Sequence, residues 1–348
     1  MIQRFHLDPD YVISRVIKGG WQLAEGHSEQ GLQDPLGDMR AFAELGIDTF
    51  DCADIYTGVE ALIGDFLAEN RASGHPLAVK VHSKYVPDYA QLGSLRRSDV
   101  ERIVDRSLRR LGQERLDMVQ FHWWNTDIPG YLEAAGWLQD LKQAGTIDRL
   151  SLTNFNRQIT AEIIEAGISL TTTQVQYSLL DTRPEKGLAE LCAAHGLHLL
   201  CYGTLAGGFL SDRWLGVTET QAEVSLLENR SLVKYRLMIE EAGGWDLFQS
   251  LLQTLKIIGD HHNSSIASVA CRWVLEQPRV AAVIVGARNR DHLHRYAELF
   301  RFGLRKQDLE ALNHVQQQMN VPPGDVFDLE RDKSGRHGRI MKYNLNED

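Results

Sequence analysis

The stretch DTFDCADIYTGVEALIGDFLAEN, residues 48–70, contains both kinds of regular structure that the chain repeats. It starts with the short apolar run 48–52, which is typical of a buried strand. It ends with 58–70, in which apolar residues recur at helical spacing. Asp51 and Tyr56 are five residues apart, which fits neither one face of a helix nor one face of a strand. We therefore expect a strand that ends on a carboxylate, a loop that carries a phenol, and then a helix.

The same alternation of apolar runs and helix-like segments extends along the chain. The runs predicted to form strands lie at residues 15–20, 48–52, 77–84, 116–122, 149–155, 171–177, 198–203 and 281–286. Such alternation favours parallel βα units. A doubly wound sheet that bound a dinucleotide would be expected to show a G-x-G-x-x-G turn, and the sequence contains none. We therefore predict an α/β fold of the (β/α)8 TIM-barrel type.

Residues 1–348 are expected to form a single barrel domain with two additions. Segment 204–263, between the seventh and eighth predicted strands, is predicted to be a long insertion that contains helices. Residues 321–348 are polar and charged, and are predicted to form a C-terminal extension beyond the barrel. Both additions are expected to influence specificity, because loops positioned by a rigid scaffold carry much of the function of a protein.

Composition argues against several classes of function. The chain is 43% hydrophobic and has a formal net charge of −10, so a nucleic-acid partner is not expected. No apolar stretch reaches the length of a membrane span, and the N-terminus lacks a signal-peptide core. The four cysteines have no C-x-x-C spacing, which favours reduced thiols in a cytoplasmic protein over a disulfide framework or a zinc site. The oligomeric state is left open.

Polar residues stand where several predicted strands end. Asp51, Lys84 and His122 end the second, third and fourth strands, and Tyr56 lies in the loop after the second. Side chains alternate along a strand, so Lys80 is expected on the same face as Lys84 but near the base of the barrel. Because the C-terminal ends of barrel strands meet at one mouth, we expect these four groups to converge there.

A second polar layer is predicted beneath them. Thr49, His82 and Gln120 lie two residues before Asp51, Lys84 and His122, so they should face the same way along each strand. They are expected to support the groups above them, as outer-shell partners do in other sites.

Six motifs follow one another in the sequence: FDCADIYTGVEALIGDFL, VHSKYVPD, LDMVQFHWW, LSLTNFN, QVQYSLLD and IASVACRWVLEQP. Each is weak alone, but in this order they resemble the aldo-keto reductase superfamily over roughly residues 15–300. The resemblance implies a (β/α)8 barrel that binds NADPH across its mouth without a Rossmann domain. It also implies an oxidoreductase that reduces aldehydes or ketones to alcohols by hydride transfer.

The resemblance implies that Asp51, Tyr56, Lys84 and His122 are the catalytic residues. Tyr56 would donate the proton, and its ordinary pKa is about 10. The ammonium of Lys84, held by Asp51, would lower that pKa by stabilising the phenolate. His122 would orient the substrate oxygen and share its developing charge.

The resemblance also implies a set of cofactor-binding residues. Thr153, Asn154 and Gln174 would bind the nicotinamide carboxamide, and Tyr202 would stack on the nicotinamide ring. The whole predicted set comprises Gly20, Trp21, Thr153, Asn154, Gln174, Tyr202, Gly203, Thr204, Leu205, Gly286, Arg288 and His292.

Two positions depart from the pattern of many relatives. Gly203 stands where they have Ser, and Thr204 is expected to substitute for it. Further on, Gly286 precedes Ala287 where many relatives have Lys-Ser, and Arg288 would then pair with the adenosine 2′-phosphate. Arg290 and Arg295 are alternatives for that pairing. NADP(H) is therefore favoured, and NAD(H) is left open.

Tryptophans are expected on the substrate side of the mouth. Trp21 and Trp123 are predicted to line it, and Trp124 is a weaker candidate because neighbouring strand residues point opposite ways. Indole walls favour aromatic or aliphatic small-molecule carbonyls over highly charged ones.

Two other classes of function stay open at this stage. The first is a cofactor-binding regulatory or subunit protein with the same fold and little turnover. The second is a barrel hydrolase or lyase that uses Asp51 and His122 with a metal. The sequence has no H-E-x-x-H motif, so no metal ligands are predicted, although the His pair at 261–262 is a candidate surface site.

Overall fold

A computed structural model describes residues 1–25, 32–224, 227, 229–291 and 293–346. The strands are β1 (Arg4–Asp8), β2 (Tyr11–Ser14), β3 (Val16–Gly19), β4 (Thr49–Asp51), β5 (Lys80–Tyr85), β6 (Leu116–Phe121), β7 (Ile147–Thr153), β8 (Thr172–Gln176), β9 (His198–Tyr202) and β10 (Val280–Gly286). Eight parallel strands close into a barrel in the order β10-β3-β4-β5-β6-β7-β8-β9. The predicted TIM barrel is confirmed, and each predicted strand overlaps one of these.

Helices separate the barrel strands. They are α1 (Pro35–Glu44), α2 (Val59–Ala72), α3 (Arg97–Leu111), α4 (Tyr131–Gln143), α5 (Arg157–Glu165), α6 (Leu188–Ala194), α7 (Arg230–Glu241), α8 (Trp245–His261), α9 (Ile266–Leu275), α10 (Leu293–Glu298), α11 (Lys306–Gln316) and α12 (Asp328–Arg331). The helices predicted within 204–263 are α7 and α8. A helical ring lets the outward apolar residues of the strands form the core, as in other barrels of this type.

An N-terminal hairpin closes the base of the barrel. Strands β1 and β2 pair antiparallel, and Leu7, Tyr11 and Ile13 are buried against apolar residues of the barrel interior. The hairpin was not predicted. Its sequence signal is alternation on either side of an Asp-Pro-Asp turn, residues 8–10, which is a typical arrangement for a short hairpin.

The barrel interior changes from apolar to polar towards the mouth. Met118 and Leu200 belong to the apolar layer above the hairpin. Asp51, Lys84 and Gln120 are all buried closer to the C-terminal ends of their strands. Because inward side chains alternate with outward ones, the polar residues of neighbouring strands meet in one place.

The C-terminal segment lies back over the mouth. The guanidinium of Arg331 donates hydrogen bonds to the carbonyl oxygens of Trp123, of Trp124 (2.9 Å) and of Asn154 (2.5 Å). Near the end of the chain, the side-chain amide of Asn346 donates to the carbonyl oxygen of Val86 at 2.6 Å. The predicted extension therefore covers the ends of the barrel strands.

Candidate active site

Lys84 and Asp51 form a buried ion pair at the mouth. The Nζ atom of Lys84 lies 2.7 Å from Oδ2 of Asp51 and donates a second hydrogen bond, of 2.8 Å, to the carbonyl oxygen of Cys52. It also lies 5.0 Å from the ring centroid of Tyr56. The structure thus brings together three of the four predicted catalytic side chains, from the ends of β4 and β5 and the loop after β4.

Amide groups hold the other oxygen of Asp51. Its Oδ1 accepts hydrogen bonds from Gln120 Nε2 at 2.7 Å and from Gln174 Nε2 at 2.6 Å. Gln174 Nε2 also donates to Gln120 Oε1 at 2.7 Å. Gln174, which was predicted to bind the carboxamide, therefore contacts the ion pair directly, and Gln120 lies beneath the pair where it was expected.

The other members of the predicted polar layer point towards the base. His82 is fully buried, and its Nε2 lies 3.2 Å from the hydroxyl oxygen of Tyr11 in the hairpin. Thr49 accepts a 3.1 Å hydrogen bond from the backbone N–H of Ser14. Both face the barrel interior as the alternation predicts. Their hydrogen bonds lead to the hairpin, while Gln120 bonds to Asp51.

Burial and charge act in opposite directions on the ion pair. Burial lowers the pKa of the Lys84 ammonium, but the Asp51 carboxylate and the Tyr56 phenol together more than offset this, and the net pKa is raised. Burial raises the pKa of Tyr56 above its ordinary value, and Lys84 only partly reverses that shift. Lys84 therefore stays charged and Tyr56 stays protonated at neutral pH. The net pKa of Tyr56 shifts in the opposite direction to the sequence-based expectation.

His122 reaches the same mouth from the end of β6. Its Nδ1 lies 3.2 Å from the carbonyl oxygen of Thr153. The rings of Trp124 and Phe327 pack edge-on against it at centroid distances of 4.5 and 5.4 Å. Burial, with a smaller contribution from Arg331, lowers the pKa of His122 to about 3. The imidazole is therefore neutral at neutral pH.

These groups open into a cavity of about 510 Å³. Most of the predicted cofactor-binding residues line it: Trp21, Thr153, Asn154, Gln174, Tyr202, Gly203, Thr204, Leu205, Gly286 and Arg288. Gly20 does not line the cavity. Its backbone N–H donates to the carbonyl oxygen of Asp51 at 2.7 Å, and a Cβ there would meet that oxygen and Val59. Gly20 thus lies behind the site. His292 lies outside the described residues.

Helix α7 explains the glycine at position 203. Gly203 has a φ of +69°, and a Cβ on it would lie 2.3 Å from the hydroxyl oxygen of Tyr235. Tyr235 itself lines the cavity. The hydroxyl of Thr204, by contrast, contacts the sulfur of Cys271 at 3.7 Å. In this chain Tyr235, and not Thr204, brings a hydroxyl close to position 203.

Several cations line the cavity besides Lys84, namely Arg230, Lys234 and Arg288. Arg290, an alternative for 2′-phosphate binding, is held by Asp34 and by Asp38, whose Oδ1 lies 2.8 Å from Arg290 Nε. Of these two arginines, Arg288 lines the cavity and Arg290 does not.

The prediction for Trp123 was wrong. Trp123 is fully buried, its indole N–H donates to the carbonyl oxygen of Ile128 at 3.0 Å, and it does not line the cavity. Trp124 lines it instead, beside Trp21. The reason is the alternation of side chains: if His122 points into the barrel, Trp124 does too and Trp123 points outwards.

The tail and helix α7 contribute cavity residues that sequence reasoning missed. Phe327, Ile340, Met341 and Leu345 of the C-terminal segment line the cavity, together with Lys234 of α7. No local motif in the sequence marks these residues, because they reach the mouth only after the chain has returned over the barrel. The cavity walls are accordingly mostly apolar next to His122.

The described residues form neither a membrane span nor a metal-binding cluster. None of the described helices is long and apolar enough to cross a membrane. Within the same described residues, no group of three or more His, Cys, Asp and Glu side chains is arranged to hold a metal ion. His262, of the predicted surface pair, lies with its Nε2 2.8 Å from Oδ2 of Asp308.

Known proteins resemble the chain in sequence and in fold. The sequence model of the Aldo/keto reductase family matches residues 15–317. The aldo-keto reductase YhdN of Bacillus subtilis is 24% identical over 90% of this chain and 93% of its own length. The L-glyceraldehyde 3-phosphate reductase of Escherichia coli K12 is 25% identical over 82% of this chain and 80% of its own.

Solved structures share the fold. The glycerol dehydrogenase AKR11B4 from Gluconobacter oxydans superposes with a TM-score of 0.75 and 24% identity, over 93% of this chain and 97% of that one. The aldo-keto reductase AKR11C1 from Bacillus halodurans gives a TM-score of 0.71 and 21% identity, over 95% and 100%. The family match covers most of the chain, the barrel agrees with it, and the chain belongs to the aldo/keto reductase family.

Proposed function

We propose that the protein reduces aldehydes or ketones to alcohols with NADPH, and that Tyr56 donates the proton. The observation that carries this proposal is the buried Lys84–Asp51 pair beneath the Tyr56 ring, open to a cavity. The family is one of oxidoreductases, and the L-glyceraldehyde 3-phosphate reductase of Escherichia coli is among the relatives.

The cavity residues fit a nicotinamide cofactor. The hydroxyl of Thr153 is buried and has no hydrogen-bond partner in the described part of the chain, so it is available to an amide group. The ring of Tyr202 lies in the same cavity, held by a 2.8 Å hydrogen bond from its hydroxyl to Asn154 Oδ1. Arg230 and Arg288 supply positive charge that suits phosphate groups. Lys234 also lines the cavity, but its Nζ lies 3.3 Å from Oε1 of Glu330. The cofactor, when bound, supplies a hydride to the carbonyl carbon.

The protein residues manage the proton. Tyr56 is protonated at neutral pH, so its hydroxyl donates to the carbonyl oxygen as negative charge develops there. The phenolate that remains lies beside the Lys84 ammonium, which Asp51 keeps in place. Gln120 and Gln174 fix the carboxylate, so the charge pattern is preorganised before substrate binds.

Tryptophan fluorescence tests cofactor binding without a known substrate. Trp21 and Trp124 line the cavity, so bound cofactor should quench their emission. We expect NADPH to bind more tightly than NADH, with Arg288→Met reducing NADPH binding more than NADH binding because only NADPH has the 2′-phosphate. Failure of both cofactors to bind would contradict the proposal. Equal binding of NADPH and NADH would contradict only the pairing of Arg288 with the 2′-phosphate.

A further inference from the structure

A buried lysine lies behind the loop that carries Arg288. Lys18 of β3 is 3% exposed and does not line the cavity. Its Nζ donates a 3.1 Å hydrogen bond to the carbonyl oxygen of Ala287 and lies 5.2 Å from the ring centroid of Phe42 on α1. Burial lowers the pKa of Lys18 to about 8, against the opposing effect of the Asp38 carboxylate. The ammonium is therefore still largely charged at neutral pH, and it binds the residue immediately before Arg288.

Asp38 of α1 binds the other side of the same loop. Its Oδ1 accepts hydrogen bonds from the backbone N–H of Arg290 at 3.3 Å and from Arg290 Nε at 2.8 Å. Asp38 is buried, whereas the Arg290 side chain is half-exposed and also pairs with Asp34. Arg288 thus lies between two residues whose backbone atoms are bound, one by a side chain of β3 and one by a side chain of α1.

The strand register explains why a lysine stands at position 18. Lys18 lies opposite Val285 in the β3–β10 pair, and Ala287 is two residues further on. At about 3.3 Å per residue this is a distance of roughly 7 Å along the strand, so only a long side chain reaches the carbonyl oxygen. A buried ammonium costs free energy and is a poor way to stabilise a fold. Its place behind the cavity therefore indicates a role in binding.

Resting on the proposed function, we propose that Lys18 and Asp38 are positioning residues that hold Arg288 ready for the 2′-phosphate of NADPH and so set the preference for NADPH over NADH. A guanidinium binds a phosphate bidentately only in a narrow range of orientations. A loop that moved freely would lose part of its binding free energy to ordering. NADH lacks the 2′-phosphate, so its binding does not depend on how this loop is held.

Fluorescence titration of the full chain with NADPH and with NADH measures the preference as a ratio of two Kd values. Lys18→Met replaces the ammonium by an apolar end of similar length, and because it removes a buried charge it should not weaken the fold. We expect the Kd for NADPH to rise about 3- to 30-fold and the Kd for NADH to stay within about twofold of wild type.

Asp38→Ala tests the other side of the loop with a second variant. The substitution frees Arg290 from Asp38 and should raise the Kd for NADPH, as Lys18→Met does. Charge attraction alone predicts the opposite sign, because loss of a carboxylate near a phosphate would tighten NADPH binding. Tighter binding of NADPH by Asp38→Ala would therefore overturn the proposal.

Arg15→Met is the matched control. Arg15 precedes β3, and its guanidinium donates to the carbonyl oxygens of Val280 at 3.0 Å and Ala281 at 3.1 Å, at the other end of β10. Arg15→Met also removes a cation that binds backbone carbonyls of β10, but it should leave the ratio of Kd values at that of wild type. A ratio changed equally by Arg15→Met and Lys18→Met would show a general loosening of β10 and would overturn the proposal.

A double-mutant cycle shows whether Lys18 acts through Arg288. In the Arg288→Met background, Lys18→Met should not change the ratio further, because the residue that it positions is gone. The same loss in both backgrounds, a ratio unmoved by Lys18→Met and Asp38→Ala, or a wild type without preference for NADPH would each overturn the proposal. Failure of the wild type to bind either cofactor would instead contradict the proposed function, so the two failures are distinguishable.

Discussion

Gly203 is held in a backbone conformation that other residues adopt only with strain. Its φ is +69°, and a Cβ would lie 2.3 Å from the hydroxyl of Tyr235. We expect Gly203→Ala to lower the free energy of unfolding by about 1–3 kcal/mol. We also expect weaker NADPH binding, because this residue lines the cavity. Chemical denaturation and fluorescence titration measure the two effects.

Gly136 provides the matched control for that substitution. It lies within α4 and has no positive φ, and a Cβ there would have no atom within 4 Å other than its chain neighbours and the backbone of its own helix. Gly136→Ala should therefore raise the free energy of unfolding by about 0.5–1 kcal/mol. If Gly203→Ala were as stable as Gly136→Ala, the steric account of position 203 would be wrong.

Tyr56 is predicted to be needed for chemistry and not for cofactor binding. Tyr56→Phe removes the hydroxyl but keeps the ring, which packs at 5.0 Å from Trp21. We expect kcat to fall by about 10²- to 10⁴-fold, the usual contribution of a general acid. The Kd for NADPH should stay within about twofold of wild type, because the substitution keeps the ring and its packing. Steady-state kinetics and fluorescence titration separate the two.

The control for Tyr56→Phe is Tyr131→Phe. Tyr131 is on α4, and its hydroxyl donates a hydrogen bond to Glu162. Tyr131→Phe therefore also removes a tyrosine hydroxyl, but at a position far along the chain from the proposed proton donor. It should leave kcat unchanged. Full turnover by Tyr56→Phe would refute the proton-donor role.

Sequence alone predicted the direction of some side chains better than others. Asp51, Lys84 and His122 were expected at the mouth because they end strands, and the structure places them there. The same alternation places Trp124, and not Trp123, on the inward face that His122 occupies, so position on the strand decides which indole reaches the cavity. The pKa of Tyr56 could not be predicted, because it depends on burial that no local motif reveals.

Elements that are local in sequence were predictable, and elements defined by long-range packing were not. The barrel strands are short segments rich in apolar, β-branched and aromatic residues that alternate along the chain with helical patterns, and this identifies them without tertiary information. The C-terminal segment has few such runs. Its place over the mouth depends on contacts between residues distant in sequence, such as Arg331 with Trp124. An influence of the segment on specificity was expected, but the residues that reach the cavity had no signal in the sequence.

Asn346 is predicted to hold this segment over the substrate side. Its side-chain amide donates to Asp54 Oδ2 at 3.2 Å and to the carbonyl oxygen of Val86 at 2.6 Å, and its backbone N–H donates to Asp88 Oδ1. Asn346→Ala should raise KM for the carbonyl substrate several-fold, because the variant loses the side-chain hydrogen bonds that hold the segment over the mouth. The Kd for NADPH should not change, because the cofactor residues belong to the barrel and α7.

Asn344→Ala is the control for this prediction. Asn344 is exposed two residues earlier and accepts one hydrogen bond, from the backbone N–H of Ala90. Its replacement should leave KM close to that of wild type. A KM unchanged by Asn346→Ala, or raised equally by both substitutions, would show that anchoring by Asn346 does not shape the substrate site.

At the scale of the whole molecule, the barrel combines a stable base with a polar mouth. The hairpin and the apolar layer fill the lower interior, and the buried ion pair and amides fill the upper part. Burying charge is favourable only when each group is paired, and Lys84, Asp51, Gln120 and Gln174 satisfy one another. The charges of the site are therefore paired and held in place before any substrate arrives.

His82 lies between these two layers and should make the fold sensitive to acid. Burial lowers the pKa of His82 to about 4 in the folded protein, whereas an unfolded histidine has a pKa of about 6.5. Below pH 6.5 the unfolded chain binds a proton that the folded protein does not, so the free energy of unfolding decreases as the pH is lowered from 6.5 to about 4. His82 should contribute a slope of at most about 1.4 kcal/mol per pH unit in this window.

His82→Gln removes this titration while keeping a polar group beside the hydroxyl of Tyr11. The free energy of unfolding, measured by chemical denaturation at pH 7, 6 and 5, should therefore decline less steeply in the variant than in wild type. His122 also has a lowered pKa and acts in the same direction, so part of the decline should persist. His75→Gln, at an exposed position, should follow the wild-type curve. If His82→Gln followed it too, the acid sensitivity would have to arise elsewhere than at the junction between the apolar base and the polar mouth.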